Sequence, residues 1–137
     1  MIRDDDLNGA VVMMNPRMWA RHADEAGVIG LITKADIARD DFFVDYGGEK
    51  EHWHGADALL MFRKPGEIYD LLRDKPHTLA VDDFKALKNI ALLLDYGTVI
   101  HQHRAMELVA MNEHIRDAAT IRLDNLLNRD REQGPER

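Results

Sequence analysis

Val28-Ile29-Gly30-Leu31-Ile32-Thr33-Lys34-Ala35-Asp36, followed after a short polar gap by Asp41-Phe42-Phe43-Val44-Asp45-Tyr46, is the stretch on which the fold turns. In the second run a period of two sets Phe42, Val44 and Tyr46 on one side of an extended strand and Asp41, Phe43 and Asp45 on the other. One face is therefore expected to be buried and the other mostly wet. Outward from this stretch the pattern repeats, and residues 9–14, 28–35, 42–46, 51–54 and 58–62 are the predicted strands. Gly47-Gly48 is a turn signal between the third and fourth. Short apolar runs separated by turn residues are the pattern of a small sandwich or barrel.

Pro65 closes this region, because proline suits the first turn of a helix and its predecessor avoids helical geometry. A short helix is predicted over 66–73 and a second over 82–96, with Val81, Phe84, Leu87, Ile90, Ala91 and Leu94 at helical spacing and Gly97 as the stop. The last helix is predicted over 99–128. Its core face is Ile100, Leu108, Met111, Ile115 and Leu126, all in one sector of a wheel at ~100° per residue. Val99, Met106, Ala110 and Ile121 form a second apolar strip. That is more than one helix hairpin needs, so the helix is either covered on two sides or broken near Asn112, and the strip is a candidate interface with a partner or a second copy. The predicted architecture is α+β: a β-module over 1–65, a helical hairpin module over 66–128 and a charged, disordered tail over 129–137.

The composition, with 45% hydrophobic and 31% charged residues in 137, is that of an ordinary globular domain able to remove roughly two-thirds of its extended-chain surface from water. Cysteine is absent, which excludes disulfides, thiolate metal sites and cysteine nucleophiles. Serine is absent too, and the four threonines stand in no nucleophile motif. No Walker loop or Gly-x-Gly-x-x-Gly occurs, so no cofactor is expected. The N-terminal Met-Ile-Arg-Asp-Asp-Asp has acids where a secretory leader needs bases, and no run is long enough to span a bilayer; a cytoplasmic protein without membrane association is expected. The formal charge of −7 is evenly spread, with 8 Lys and Arg against 12 Asp and Glu in 1–65 and 10 against 13 in 66–137. Bases interspersed with acids make no phosphate-binding face, and nucleic acid is a disfavoured partner.

The glycine-flanked strand through Val28-Ile29-Gly30-Leu31-Ile32, its polar turn, and the strand ending in Tyr46 resemble the SH3-like barrels of the KOW and Tudor type over residues 9–62. Gly30 occupies that family's glycine position. The resemblance implies a closed barrel and, as a second functional reading, a nucleic-acid or ribosome-associated module. Asp36, Asp40, Asp41 and Asp45 stand where the nucleic-acid-binding members place Lys and Arg. A groove lined by Trp19, Phe43, Tyr46 and Trp53 is the binding site such a barrel would offer, with core filling as the competing role for these aromatics.

Three polar constellations remain. Asp4-Asp5-Asp6-Leu7-Asn8-Gly9 matches half a calcium loop but lacks the closing carboxylate, and a solvated terminus with an Asn-Gly turn is the preferred reading. His52 and His54, two apart on a strand, share a face and are weak candidates for a metal pair, to which Asp41 or Asp45 of the neighbouring strand could supply a third ligand. His103 and Glu107 are one helical turn apart and form at most a surface pair. The leading expectation is a non-catalytic binding or scaffolding protein, with a metal-dependent enzyme using His52 and His54 as a further alternative.

Overall fold

A computed structural model of the chain describes residues 1–16, 28–47 and 51–133. In chain order its elements are α1 (Asp4–Leu7), β1 (Val11–Met14), β2 (Ile29–Asp36), β3 (Asp41–Asp45), β4 (Glu51–His54), β5 (Leu59–Phe62), α2 (Pro65–Asp74), α3 (Val81–Tyr96), α4 (Val99–Met111), α5 (Glu113–Ala119), β6 (Thr120–Arg122) and α6 (Leu123–Gln133). They form two compact units, Met1–Met61 with Ile121–Arg137, and Phe62–Thr120. Among the described residues no helix is long and apolar enough to cross a membrane.

The first unit is built on one six-stranded sheet in the order β4-β3-β2-β1-β5-β6. β1 pairs antiparallel with β2 and β5, β2 with β3, and β3 with β4. The period of two does what alternation requires. Val12, Ile32, Phe42, Val44 and Leu59 form one buried cluster with Leu7 of α1 and Leu123 and Leu127 of α6. On the opposite face Val11, Met13 and Leu60 are buried as well. Asp41 is exposed while Phe42 and Val44 are fully buried, as the alternation in β3 predicts.

The sheet is open, and that overturns the barrel. β4 and β6 are its two edges, whereas an SH3-like barrel closes by pairing its outer strands. The irregularity in β2 lies not at Gly30 but three residues on, between Ile32 and Lys34, where Thr33 is the extra residue of a bulge. With the barrel goes the resemblance on which the ribosome-associated reading rested. Acidic residues along this region serve turns instead. Asp40 takes a left-handed conformation at φ 57°, and its Oδ1 accepts from Ala56 N at 2.9 Å. Asp36 Oδ1 accepts from Arg39 N and Asp45 Oδ1 from Gly47 N, the local bonding that suits aspartate to turns. The N-terminal aspartates act likewise: Asp6 Oδ2 caps Arg3 N and Asp4 Oδ1 accepts from Ile37 N.

The C-terminal hairpin is overturned too. The predicted helix over 99–128 is three helices and a strand. α4 ends at Met111, Asn112 adopts an extended backbone, and α5 starts one residue later. Thr120 and Ile121, both β-branched, then form β6. α6 returns to the sheet unit and pins the N-terminus, with Asp130 Oδ2 accepting from Ile2 N at 2.8 Å. The predicted tail is thus helical as far as Gln133.

The second unit packs α2, α3, α4 and α5 together. Its core holds Ile68 and Leu72, Leu87, Ile90 and Ala91, Ala105, Met106 and Val109, and Ile115 and Ala119. Asn112 joins it at the break: its Oδ1 accepts from His114 N at 3.0 Å as the cap of α5, and its Nδ2 donates to Asp83 Oδ1 at 2.9 Å. Replacing Asn112 with Ala removes a cap and leaves Asp83 without this donor, an expected loss of about 1–2 kcal/mol. Asn112→Ser keeps a capping oxygen but not the amide donor, and thermal unfolding should place it between wild type and Asn112→Ala.

Candidate functional site

The β3–β4 ladder sorts the predicted groove residues onto two faces. Its register sets Phe43 opposite Trp53, with Phe42 opposite His54 and Val44 opposite His52. Directly opposed residues share a face, so Phe43 and Trp53 lie together, their ring centroids 4.8 Å apart and tilted by 47°. Trp53 is 55% exposed, which makes it a surface residue propped on Phe43 rather than core. Tyr46 lies on the other face, its Oη 2.8 Å from His54 Nε2 and its ring 6.1 Å from that of His52. Trp19 lies outside the described residues. Phe43, Tyr46 and Trp53 therefore do not line one groove.

The same register decides the histidine pair. His52 and His54 share a face, with ring centroids 6.2 Å apart. Asp41 and Asp45, one residue off Phe42 and Val44, project to the opposite face by alternation. The third ligand expected from β3 is thus on the wrong side. His54 is hydrogen-bonded to Tyr46 instead, and among the described residues no three His, Asp or Glu are grouped to hold a metal ion.

A different surface has better-formed features. α3 ends at Gly97, whose φ of 74° gives the left-handed turn that stops the helix. Thr98 caps α4, its Oγ1 accepting from His101 N at 3.2 Å and bonding His101 Nδ1 as well. Held from below, the His101 ring stacks on Tyr96 with centroids 4.5 Å apart and planes 14° apart. The stack walls an open pocket of about 420 Å³, completed by Leu93, Ile100 and Arg104. Beside it Asp95 Oδ2 accepts from Tyr69 Oη at 2.8 Å. That bond, together with partial desolvation and the nearby carboxylate charge, raises the Tyr69 phenol pKa above its ordinary value.

At the edge of the pocket apolar side chains stand in solvent, with exposure of 70% at Tyr96, 48% at Val99 and 78% at Ile100; Met111, at the far end of α4, is 84% exposed. Of the predicted interface strip, Met106 and Ile121 are buried and Ala110 half-buried, leaving Val99 alone at the surface. Of the predicted core stripe, Ile100 and Met111 face out while Ile115 is buried. The two strips of α4 are exchanged, because Ala105, Met106 and Val109 form the side that packs. His103 and Glu107 make the expected surface pair, Nδ1 to carboxylate, at 3.5 Å. No single residue type flags the Tyr96–His101 stack in the sequence; only the spacing across Gly97 brings the two rings together.

No protein-family model, no curated protein and no solved structure matches the chain.

Proposed function

We propose that this chain is a non-catalytic binding or scaffolding protein that works through the outward surface of α3 and α4. The observation that carries the reading is the exposure of Tyr96, Val99 and Ile100 beside a pocket walled by a stacked pair of rings, continued along α4 to the exposed Met111. Clustered apolar exposure of this kind marks surfaces that a partner covers. The chemistry on it suits contact rather than bond-making: aliphatic and aromatic side chains, one guanidinium, and an imidazole occupied by stacking and by Thr98. Tyr96 and Arg104 are residue types that anchor interfaces.

Photo-crosslinking tests it. A photoreactive amino acid at position 100 should give discrete adducts in cells, and the same residue at Asp5, exposed in the sheet unit, should not. Equal adduct yields at the two positions would remove the claim that this surface is special.

A further inference from the structure

We infer that the partner on this surface is a second copy of the chain, docked antiparallel along α4 about a two-fold axis; the inference rests on the reading just given. The outermost line of α4 carries it. At ~100° per residue, Ile100, Arg104, Glu107 and Met111 fall in a sector of about 60°, diametrically opposite the buried Ala105, Met106 and Val109. Their spacing of four, three and four is that of a helix seam that packs against another helix. All four are exposed.

The order along this line is apolar, cation, anion, apolar. Read from the other end it is apolar, anion, cation, apolar. An antiparallel second copy centred between Arg104 and Glu107 therefore sets Ile100 against Met111 of the other chain at both ends, and Arg104 against its Glu107 twice in the middle. A two-fold interface demands such self-complementarity. The charges are available for it: among the described residues Arg104 makes no ion pair and Glu107 makes one, to His103 at 3.5 Å, which is a cation only when protonated. A stripe with both charges of one sign would repel its own copy.

The ends of the line have a place to go. Met111 of the second copy arrives over Ile100 and hence over the pocket formed with Leu93, Tyr96, His101 and Arg104. A flexible thioether packs well beside an aromatic ring, and Tyr96 offers one. α4 has 13 residues, about 20 Å of helix. This contact lies at the small end of specific interfaces, so the dimer is concentration-dependent rather than obligate.

Sedimentation equilibrium on the full chain tests the arrangement, with wild type, Arg104→Glu, Glu107→Arg, the double variant, and an equimolar mixture of the two single variants. Wild type should dimerise with rising concentration. Each single variant places two like-charge contacts in the dimer and should weaken it by about tenfold or more. The double variant should return to within about threefold of wild type, and the mixed singles should form a heterodimer tighter than either alone. Circular dichroism should show all variants folded, since both positions are exposed. A wild type that stays monomeric, singles without effect, or a double variant that fails to recover each overturns the antiparallel pairing. A monomeric wild type that still crosslinks from position 100 to another protein sinks the dimer alone; a monomer with no such adduct sinks the binding surface as well.

Discussion

Phe42→Ala is expected to destabilise the sheet unit by about 3–5 kcal/mol, the usual cost of deleting a buried aromatic ring. Phe42 is fully buried in β3, between Ala35 on β2 and His54 on β4. Its cluster joins residues far apart in sequence: Leu7 of α1, Leu59 of β5, and Leu123 and Leu127 of α6. The cavity would open where the sheet meets the helices that cover it, and neither side can collapse inward without breaking strand pairing. A small domain has only about 5–15 kcal/mol in hand, so much of its stability goes with this ring. Urea unfolding followed by circular dichroism checks it. Phe43→Ala, one residue on and half-buried beside an exposed Trp53, should cost distinctly less. Equal losses would mean that the alternation of β3 is misassigned.

Gly30→Ala adds one methyl group and should still destabilise by about 1–3 kcal/mol. A Cβ there would lie 2.6 Å from Val44 Cγ1, 2.8 Å from the Asp45 carbonyl oxygen and 2.9 Å from Tyr46 Cδ1. The middle contact is backbone and cannot swing aside, so β2 and β3 must part. The cause is space, since positive φ is found at Gly9, Gly47 and Gly97 but not at Gly30. Tyr46 uses the gap: its ring lies over the glycine, the cross-strand arrangement that compensates a strand for a missing side chain. Gly66→Ala is the matched control. It stands in the first turn of α2 with nothing within 4 Å of an added Cβ, and it should be neutral or stabilising by up to about 1 kcal/mol. Chemical denaturation of both variants decides the matter, and a Gly30→Ala as stable as wild type would remove the close approach.

The local rules were legible and the closure was not. Period two in Asp41-Phe42-Phe43-Val44-Asp45-Tyr46 places β3 and its buried face, and Gly97 marks the end of α3 where the structure ends it. Whether five short strands curl into a barrel or lie in an open sheet depends on which strands become neighbours. Here β1 sits between β2 and β5, and a three-residue β6 arrives from near the other end of the chain. Nothing in a local window encodes that long-range choice. The last third differs for another reason. A wheel across 99–128 assumes one continuous axis, and of the two outcomes that the surplus apolar strip allows, cover on two sides or a break near Asn112, the break occurs. Thr120-Ile121 carried the signal, two β-branched residues interrupting a helical run, but a three-residue strand is too short to show a period.

The exchanged strips of α4 follow from size. Ile100, Leu108 and Met111 are the larger apolar set and on composition alone should be core. The packed side uses Ala105, Met106 and Val109 instead, where a small residue lets neighbouring helices approach closely. Larger side chains left outside cost less when another surface covers them, and this links the packing of the helical unit to its proposed role. Trp53 on the edge strand β4 is the rival contact point, exposed and supported by Phe43.

The most direct test is a backbone-amide NMR titration of isotope-labelled protein with its own unlabelled copy. Concentration-dependent shifts should gather on the end of α3 and the outward line of α4, from Tyr96 through Ile100 and Arg104 to Met111, and leave β3 and β4 unmoved. Spectra that do not change with concentration, or changes centred on Phe43 and Trp53, would contradict the account.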